Sequence, residues 1–200
     1  MCGAPLAHCA YGTLYDRCIM LAARPGTFPP DRHVRHEMPM TDTPSGSHSD
    51  TASTAEILRH IPHRYPFIMI DRMVSCVEGK SVRCIKNVTA TEWFFEGANA
   101  TTGVMPSMLL VEALAQASGA LSHYSGLMKH MSKPIIFFAG IDQCVFGRDV
   151  RIGDTVVLEC TLIRALRGMI KVKGVATVDG EMAAELTLMA VVRDMEGAGN

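Results

Sequence analysis

Residues 104–130 read VMPSMLLVEALAQASGALSHYSGLMKH, and this stretch decides the fold. It is the only long segment with helical periodicity. Pro106 and Ser107 stand at its start, where the first turn tolerates proline. The run is apolar over much of its circumference, which predicts a helix buried on several sides rather than one lying on a surface. From Ala113 to Ala120 nearly every side chain is Ala, Ser or Gly, so neighbouring backbone can approach closely. Glu112 is the one carboxylate in the helix. It shares a face with Met108, Val111 and Ala115, which predicts that it is largely buried, with Gln116 one turn on as a partner.

The segments on either side read as strands. Upstream, Phe67–Val77 and Ser81–Thr89 are β-rich runs separated by Glu78-Gly79-Lys80. Downstream, Ile135–Phe146 is followed by an alternating run from Val156 to Ile163, then by Ile170–Val178 after an Arg167-Gly168 turn. Asp179-Gly180 is a strong hairpin signal, and a last alternating strand runs from Met182 to Val192. Two strands, one long helix and about four antiparallel strands predict an α+β domain in which an antiparallel sheet packs on a single central helix. Ser53 and Glu56 form a capping box before a short helix that ends near Ile61, because Pro62 disfavours helix in the residue before it.

The domain so defined covers 54–195, with 196–200 as a flexible tail. Residues 1–53 are expected to be a disordered leader. Residues 41–54 (TDTPSGSHSDTAST) are too polar to offset chain entropy, and one expectation is that natural translation starts at Met38 or Met40. The 200 residues carry a net charge of -1, which argues against a nucleic-acid partner held by bulk charge. No apolar run reaches the ~18 residues of a membrane span. The 7 cysteines contain no C-x-x-C pair, so neither a disulfide framework nor a zinc ribbon is expected, and reduced thiols fit a cytoplasmic chain. His8, Cys9, Cys18, His33 and His36 match no common metal-site spacing, so no metal is expected. Cys76, Cys84, Cys144 and Cys160 read as small core residues. Arg148, Arg151, Arg164, Arg167, Lys171 and Lys173 form a mildly basic stripe, more simply a solvated strand face than a docking surface because Asp149, Asp154 and Glu159 interrupt it.

Several motifs together resemble one family. Pro62-His63-Arg64-Tyr65-Pro66-Phe67 and Ile70-Asp71-Arg72 open the match. Lys86-Asn87-Val88-Thr89, Glu92, Phe94-Phe95-x-Gly97, Val104-Met105-Pro106 and Glu112-Ala113-x-Ala115-Gln116 continue it. Ala139-Gly140-Ile141-Asp142, Gly153-Asp154 and the run Lys173–Gly180 complete it. Over roughly 57–193 the chain resembles the FabZ-type 3-hydroxyacyl-[acyl-carrier-protein] dehydratases of the hotdog fold. The resemblance implies a dimer or a hexamer. It also implies dehydration of 3-hydroxyacyl chains on the phosphopantetheine arm of acyl carrier protein to trans-2-enoyl thioesters in fatty-acid or related biosynthesis, with no cofactor. It places the general acid at Glu112, on the central helix, and the general base on a His in the loop before it, facing each other across the dimer interface.

That loop departs from the family pattern. It reads Phe94-Phe95-Glu96-Gly97-Ala98-Asn99-Ala100-Thr101-Thr102-Gly103, and Ala98 stands where the family has its His. An Ala side chain transfers no proton, and loss of a positioned base lowers a rate by ~10²–10⁴-fold. Gly97, Gly103 and Val104 remain candidates for backbone contacts to the thioester carbonyl, with Asn99 and Gln116 as substrate-binding groups. Two other readings follow. One is a hotdog thioesterase in which Glu112 orients water while Gln116 and Asn99 hold the oxyanion. The other is a catalytically deficient subunit whose Glu112 pairs with a His-bearing homologue. His63 belongs to a motif whose family role looks structural, so it is not expected to replace the missing base.

Overall fold

The computed structural model describes residues 51–97 and 101–194. Among the described residues, helices α1 (Thr54–His60) and α2 (Met108–Tyr124) accompany seven strands. These are β1 (Ala52–Ser53), β2 (Arg72–Val77), β3 (Ser81–Asn87), β4 (Pro134–Phe146), β5 (Thr155–Leu166), β6 (Met169–Val178) and β7 (Glu181–Asp194). The strands form one antiparallel sheet in the order β1-β2-β3-β5-β6-β7-β4.

Turn chemistry fixes the hairpins where the sequence places them. Arg167 and Gly168 have φ of 51° and 79°, and Asp179 and Gly180 have 52° and 83°. Both central residues of each turn are therefore left-handed, which matches the twist of the strands they join. At the amino end of α1, the Ser53 N–H donates to the Glu56 carboxylate at 2.7 Å. That bond, with the Ser53 hydroxyl, holds the Glu56 carboxyl below its ordinary range.

Helix α2 packs on β3, β5 and β6. Leu114 and Leu121 are wholly buried, and Ala113, Ala117 and Ala120 bring the helix down onto the sheet. The approach is closest at Gly174 of β6, where an added Cβ would lie 3.3 Å from the Leu114 side chain. Leu114→Ala empties the centre of this contact and is expected to lower stability by about 2–5 kcal/mol. Urea unfolding of the two proteins measures it.

The helix is shorter than its apolar pattern predicts, for two reasons. Val104 bridges to Arg151 and the Met105 N–H donates to Val150 at 2.8 Å, so these residues are strand-like. Gly126, with φ of 66°, ends the last turn. The first long strand likewise starts later than expected, at Arg72. The Phe67 N–H goes to Arg64 in a turn, and the Met69 N–H goes to the Gln116 side chain. Met108, expected on the buried face, is 65% exposed.

Cys76, Cys84 and Cys160 are buried, and Cys144 on the edge strand β4 is exposed, against expectation. Burial raises the Cys84 thiol far above its ordinary range and pushes Cys160 up to about 12. These thiols behave as core atoms, not as nucleophiles. Of the basic stripe, Arg148 pairs with Asp154 and Glu181, Arg151 with Asp149, Lys171 with Asp142 and Lys173 with Glu185. Those four charges are therefore matched on the strand surface itself. Among the described residues no helix is long and apolar enough to cross a membrane.

Candidate active site

Glu112 lies in the second turn of α2, and its Oε1 is the focus of two contacts. The Gln116 Nε2 donates to it at 2.7 Å from one turn further along, and His63 Nε2 stands 3.3 Å away. Gln116 is only 1% exposed and fully engaged. Its Nε2 also donates to the Phe67 carbonyl at 2.8 Å, and its Oε1 accepts the Met69 N–H at 2.8 Å. One amide thus ties the 62–70 loop to the helix and orients the carboxylate. Arg64 stiffens the same loop by donating from Nη1 to the carbonyls of Ile61 and His63, both at 2.8 Å.

Glu112 is not largely buried in the single chain. Its side chain is 27% exposed and that of His63 is 32%. The reason is its position on the open flank of the helix, where Met108 is also uncovered. His63 Nδ1 is buried with no hydrogen-bond partner among the described residues, and its Nε2 is the nitrogen that faces Glu112. Glu112 Oε2 accepts no hydrogen bond from the described residues. The pair therefore presents one free carboxylate oxygen and one imidazole nitrogen side by side, with Gln116 fixing the first.

The loop before α2 is framed by two left-handed glycines, Gly97 (φ 63°) and Gly103 (φ 60°). Ala98 and Asn99 lie outside the described residues. Of the expected backbone donors, the Val104 N–H is engaged by the Thr102 hydroxyl at 3.3 Å, and the Gly103 carbonyl accepts the Ile152 N–H at 3.0 Å. Ahead of the loop, the short 3₁₀ turn Trp93–Phe95 is anchored from both ends. Phe94 and Phe95 are buried, and the Trp93 ring stacks on Phe67 at 6.0 Å. Glu92, which precedes the turn, pairs with the buried Lys86, and Asp71 lies 3.8 Å from the same ammonium. Three motif residues scattered in sequence thus form one ion cluster around the buried Lys86 that holds the loop's approach.

From His63 and Gln116 a groove of about 470 Å³ runs along Ala115 and Gly119 to His123 and Met128, with Ile136 and Phe138 of β4 as its far wall. At its end the His60 and His123 rings stack at 3.7 Å, and Tyr124 meets both edge-on at 5.4 Å. Burial, and then the neighbouring His60, hold His123 below the ordinary histidine range. The unfolded chain therefore takes up the proton first. The stability contributed by neutral His123 is expected to be complete above pH ~6.5 and to be lost as pH falls from there toward the lower folded value. Urea midpoints between neutral and mildly acidic pH should show that loss, and His123→Phe should flatten it.

His63 is the residue that sequence reasoning set aside. The signal was present in Pro62-His63-Arg64 and in the Glu112/Gln116 spacing, but it lies in two segments that only the fold joins. His130, by contrast, is exposed beyond the end of α2.

A family model described as a FabA-like domain matches residues 61–187. A 3-hydroxyacyl-[acyl-carrier-protein] dehydratase FabZ of Dechloromonas aromatica is 45% identical over 140 residues, covering 70% of this chain and 97% of the relative. The FabZ dehydratase of Thiobacillus denitrificans is 42% identical over 139 residues, covering 70% and 96%. Among solved structures, the dehydratase heterocomplex ApeI:P from Xenorhabdus doucetiae aligns with a TM-score of 0.58 at 15% identity, over 70% of this chain and 92% of that one. The smu.793 protein of Streptococcus mutans, bound to acetyl CoA, aligns with a TM-score of 0.52 at 17% identity, over 68% and 97%. These structural likenesses establish a shared hotdog fold.

Proposed function

We propose that this chain, which belongs to the FabA-like family of FabZ-type 3-hydroxyacyl-[acyl-carrier-protein] dehydratases, dehydrates 3-hydroxyacyl thioesters with Glu112 and His63 as its proton-transfer pair. The observation that carries the reading is the 3.3 Å contact between Glu112 Oε1 and His63 Nε2 within one chain. The loop position that the family gives to its base is Ala98, so proton chemistry must come from other side chains.

The roles follow from the direction proposed for the bound chain. The thioester carbonyl sits toward the amino end of α2, where the positive helix end favours developing enolate charge. The acyl tail then runs toward Gln116 and beyond. The α-carbon lies nearer Glu112 and the β-carbon nearer His63, which lines the groove. Glu112 Oε2 takes the α-proton, the Cα–Cβ double bond forms, and the Cβ–O bond breaks. His63 Nε2 gives its proton to the departing hydroxyl, which leaves as water. Return of the proton from Glu112 to His63 across their contact restores the pair, and no cofactor is consumed.

The substrate proposed is a 3-hydroxyacyl chain on the pantetheine arm of an acyl carrier protein, in line with the 3-hydroxyacyl-[acyl-carrier-protein] named for the FabZ relatives. A homodimer or hexamer is supported by β4, an edge strand that leaves Phe137, Phe138, Ile141, Val145 and Phe146 exposed. Such an edge is ordinarily covered. Free thiols fit a cytoplasmic location. The test is intact-mass analysis of a 3-hydroxyacyl-loaded carrier protein after incubation with this chain alone. Loss of one water supports the reading. Loss of the whole acyl group would make the protein a thioesterase. Water loss only after a His-bearing homologue is added would make it one half of a heteromeric enzyme.

A further inference from the structure

The groove beyond the reacting pair has an unusual composition. Its walls are apolar, yet its far end carries Arg59, His60 and His123, and no Asp or Glu among the described residues lines it. The nearest acid on α1 is Glu56, one turn before His60, and its carboxylate is turned to the Ser53 N–H. Tyr124 packs edge-on against both imidazole rings. No protein hydrogen bond reaches either stacked imidazole among the described residues.

We propose that this groove takes an acyl chain that ends in a carboxylate, with the His60–His123 stack and the flanking Arg59 receiving that end. The inference rests on the reading of Glu112 and His63 as the reacting end of the same groove. From Glu112 to His123 the helix advances about 16 Å at ~1.5 Å per residue, which suits a medium-length chain lying along one helix face. A methyl-ended chain of that length would cover ring nitrogens and a guanidinium rim without giving them partners, which is unfavourable. A carboxylate supplies two acceptors to N–H donors and meets positive charge where no negative charge competes. The stacked imidazoles and Arg59 thus offer N–H donors to an anion at the end of the groove.

The experiment is calorimetric binding of two unreactive analogues to the full chain: decanoyl-pantetheine amide, which ends in a methyl group, and sebacyl-pantetheine amide, its carboxylate-ended counterpart. Sebacyl is expected to bind about tenfold more tightly, the scale of a charge-assisted hydrogen bond. His123→Phe keeps the ring stack and removes the nitrogens, and should bring the two affinities together. His60→Leu, at an exposed position, should do the same and remains informative if the buried-side variant folds poorly. Equal or tighter binding of decanoyl by the unaltered chain would overturn the inference while leaving the dehydratase reading intact. So would a sebacyl preference that survives both substitutions. Binding of neither analogue would overturn the groove and the acyl-thioester reading together.

Discussion

Glu112→Gln is expected to abolish dehydration, with a loss of at least ~10²–10⁴-fold in turnover. The substitution is nearly isosteric. The amide oxygen can still accept from Gln116 Nε2, which now donates to Oε1 at 2.7 Å, so the helix and the 62–70 loop should keep their arrangement. What disappears is the proton acceptor at Oε2 and the charge that faces His63. Circular dichroism and urea midpoints close to those of the unaltered protein, with activity gone, would separate chemistry from folding. Turnover unchanged by this substitution would remove Glu112 from the mechanism.

His63→Gln is expected to lower dehydration by a similar ~10²–10⁴-fold, for a different reason. Glutamine can hydrogen-bond Glu112 but cannot protonate a leaving hydroxyl. The base remains in place and the acid is gone. If His63 only braced the loop, Gln would largely restore the contact and activity would stay within a few-fold. The Arg64 bonds to Ile61 and His63 carbonyls are backbone contacts, so the loop retains its clamp in this variant. Measuring kcat and KM separately sharpens the distinction. A lost proton donor lowers kcat, whereas a displaced loop raises KM.

The elements that were legible in the sequence are those set by local chemistry. Asp179-Gly180 and Arg167-Gly168 adopt the paired left-handed turns their composition calls for. Ser53 and Glu56 close α1, and Ile61, extended before Pro62, ends it. The helix carrying Glu112 is where its apolar and small residues put it, and Gln116 meets Glu112 because four residues make one turn. Features that depend on distant segments were not legible. The ends of α2 are set by the pairing of Val104 and Met105 with Arg151 and Val150, which no helical period encodes. Met108 and Cys144 are apolar residues that the single chain leaves uncovered, so hydrophobicity alone misplaced them in the core. The meeting of His63 with Glu112 is the most consequential case. It arises because Gln116 reaches back to Phe67 and Met69 and pulls the Pro62–Pro66 loop against the helix.

The absence of a His at position 98 and the presence of one opposite Glu112 give the site its logic. In the family pattern the base precedes the helix and the acid is on it. In the proposed mechanism the two proton-handling groups are displaced one step along the groove, with Glu112 as base and His63 as acid. Such a shift preserves what elimination requires: one acceptor near the α-proton, one donor near the β-hydroxyl, and a short path between them for resetting.

The most direct measurement of that claim is solvent deuterium exchange at the α-carbon of a 3-hydroxyacyl carrier-protein thioester, followed by mass spectrometry with the unaltered chain and both variants. The displaced-pair mechanism predicts that His63→Gln still introduces deuterium at the α-carbon while losing no water, and that Glu112→Gln does neither. Exchange that persists in Glu112→Gln, or its absence from the unaltered chain, would contradict it.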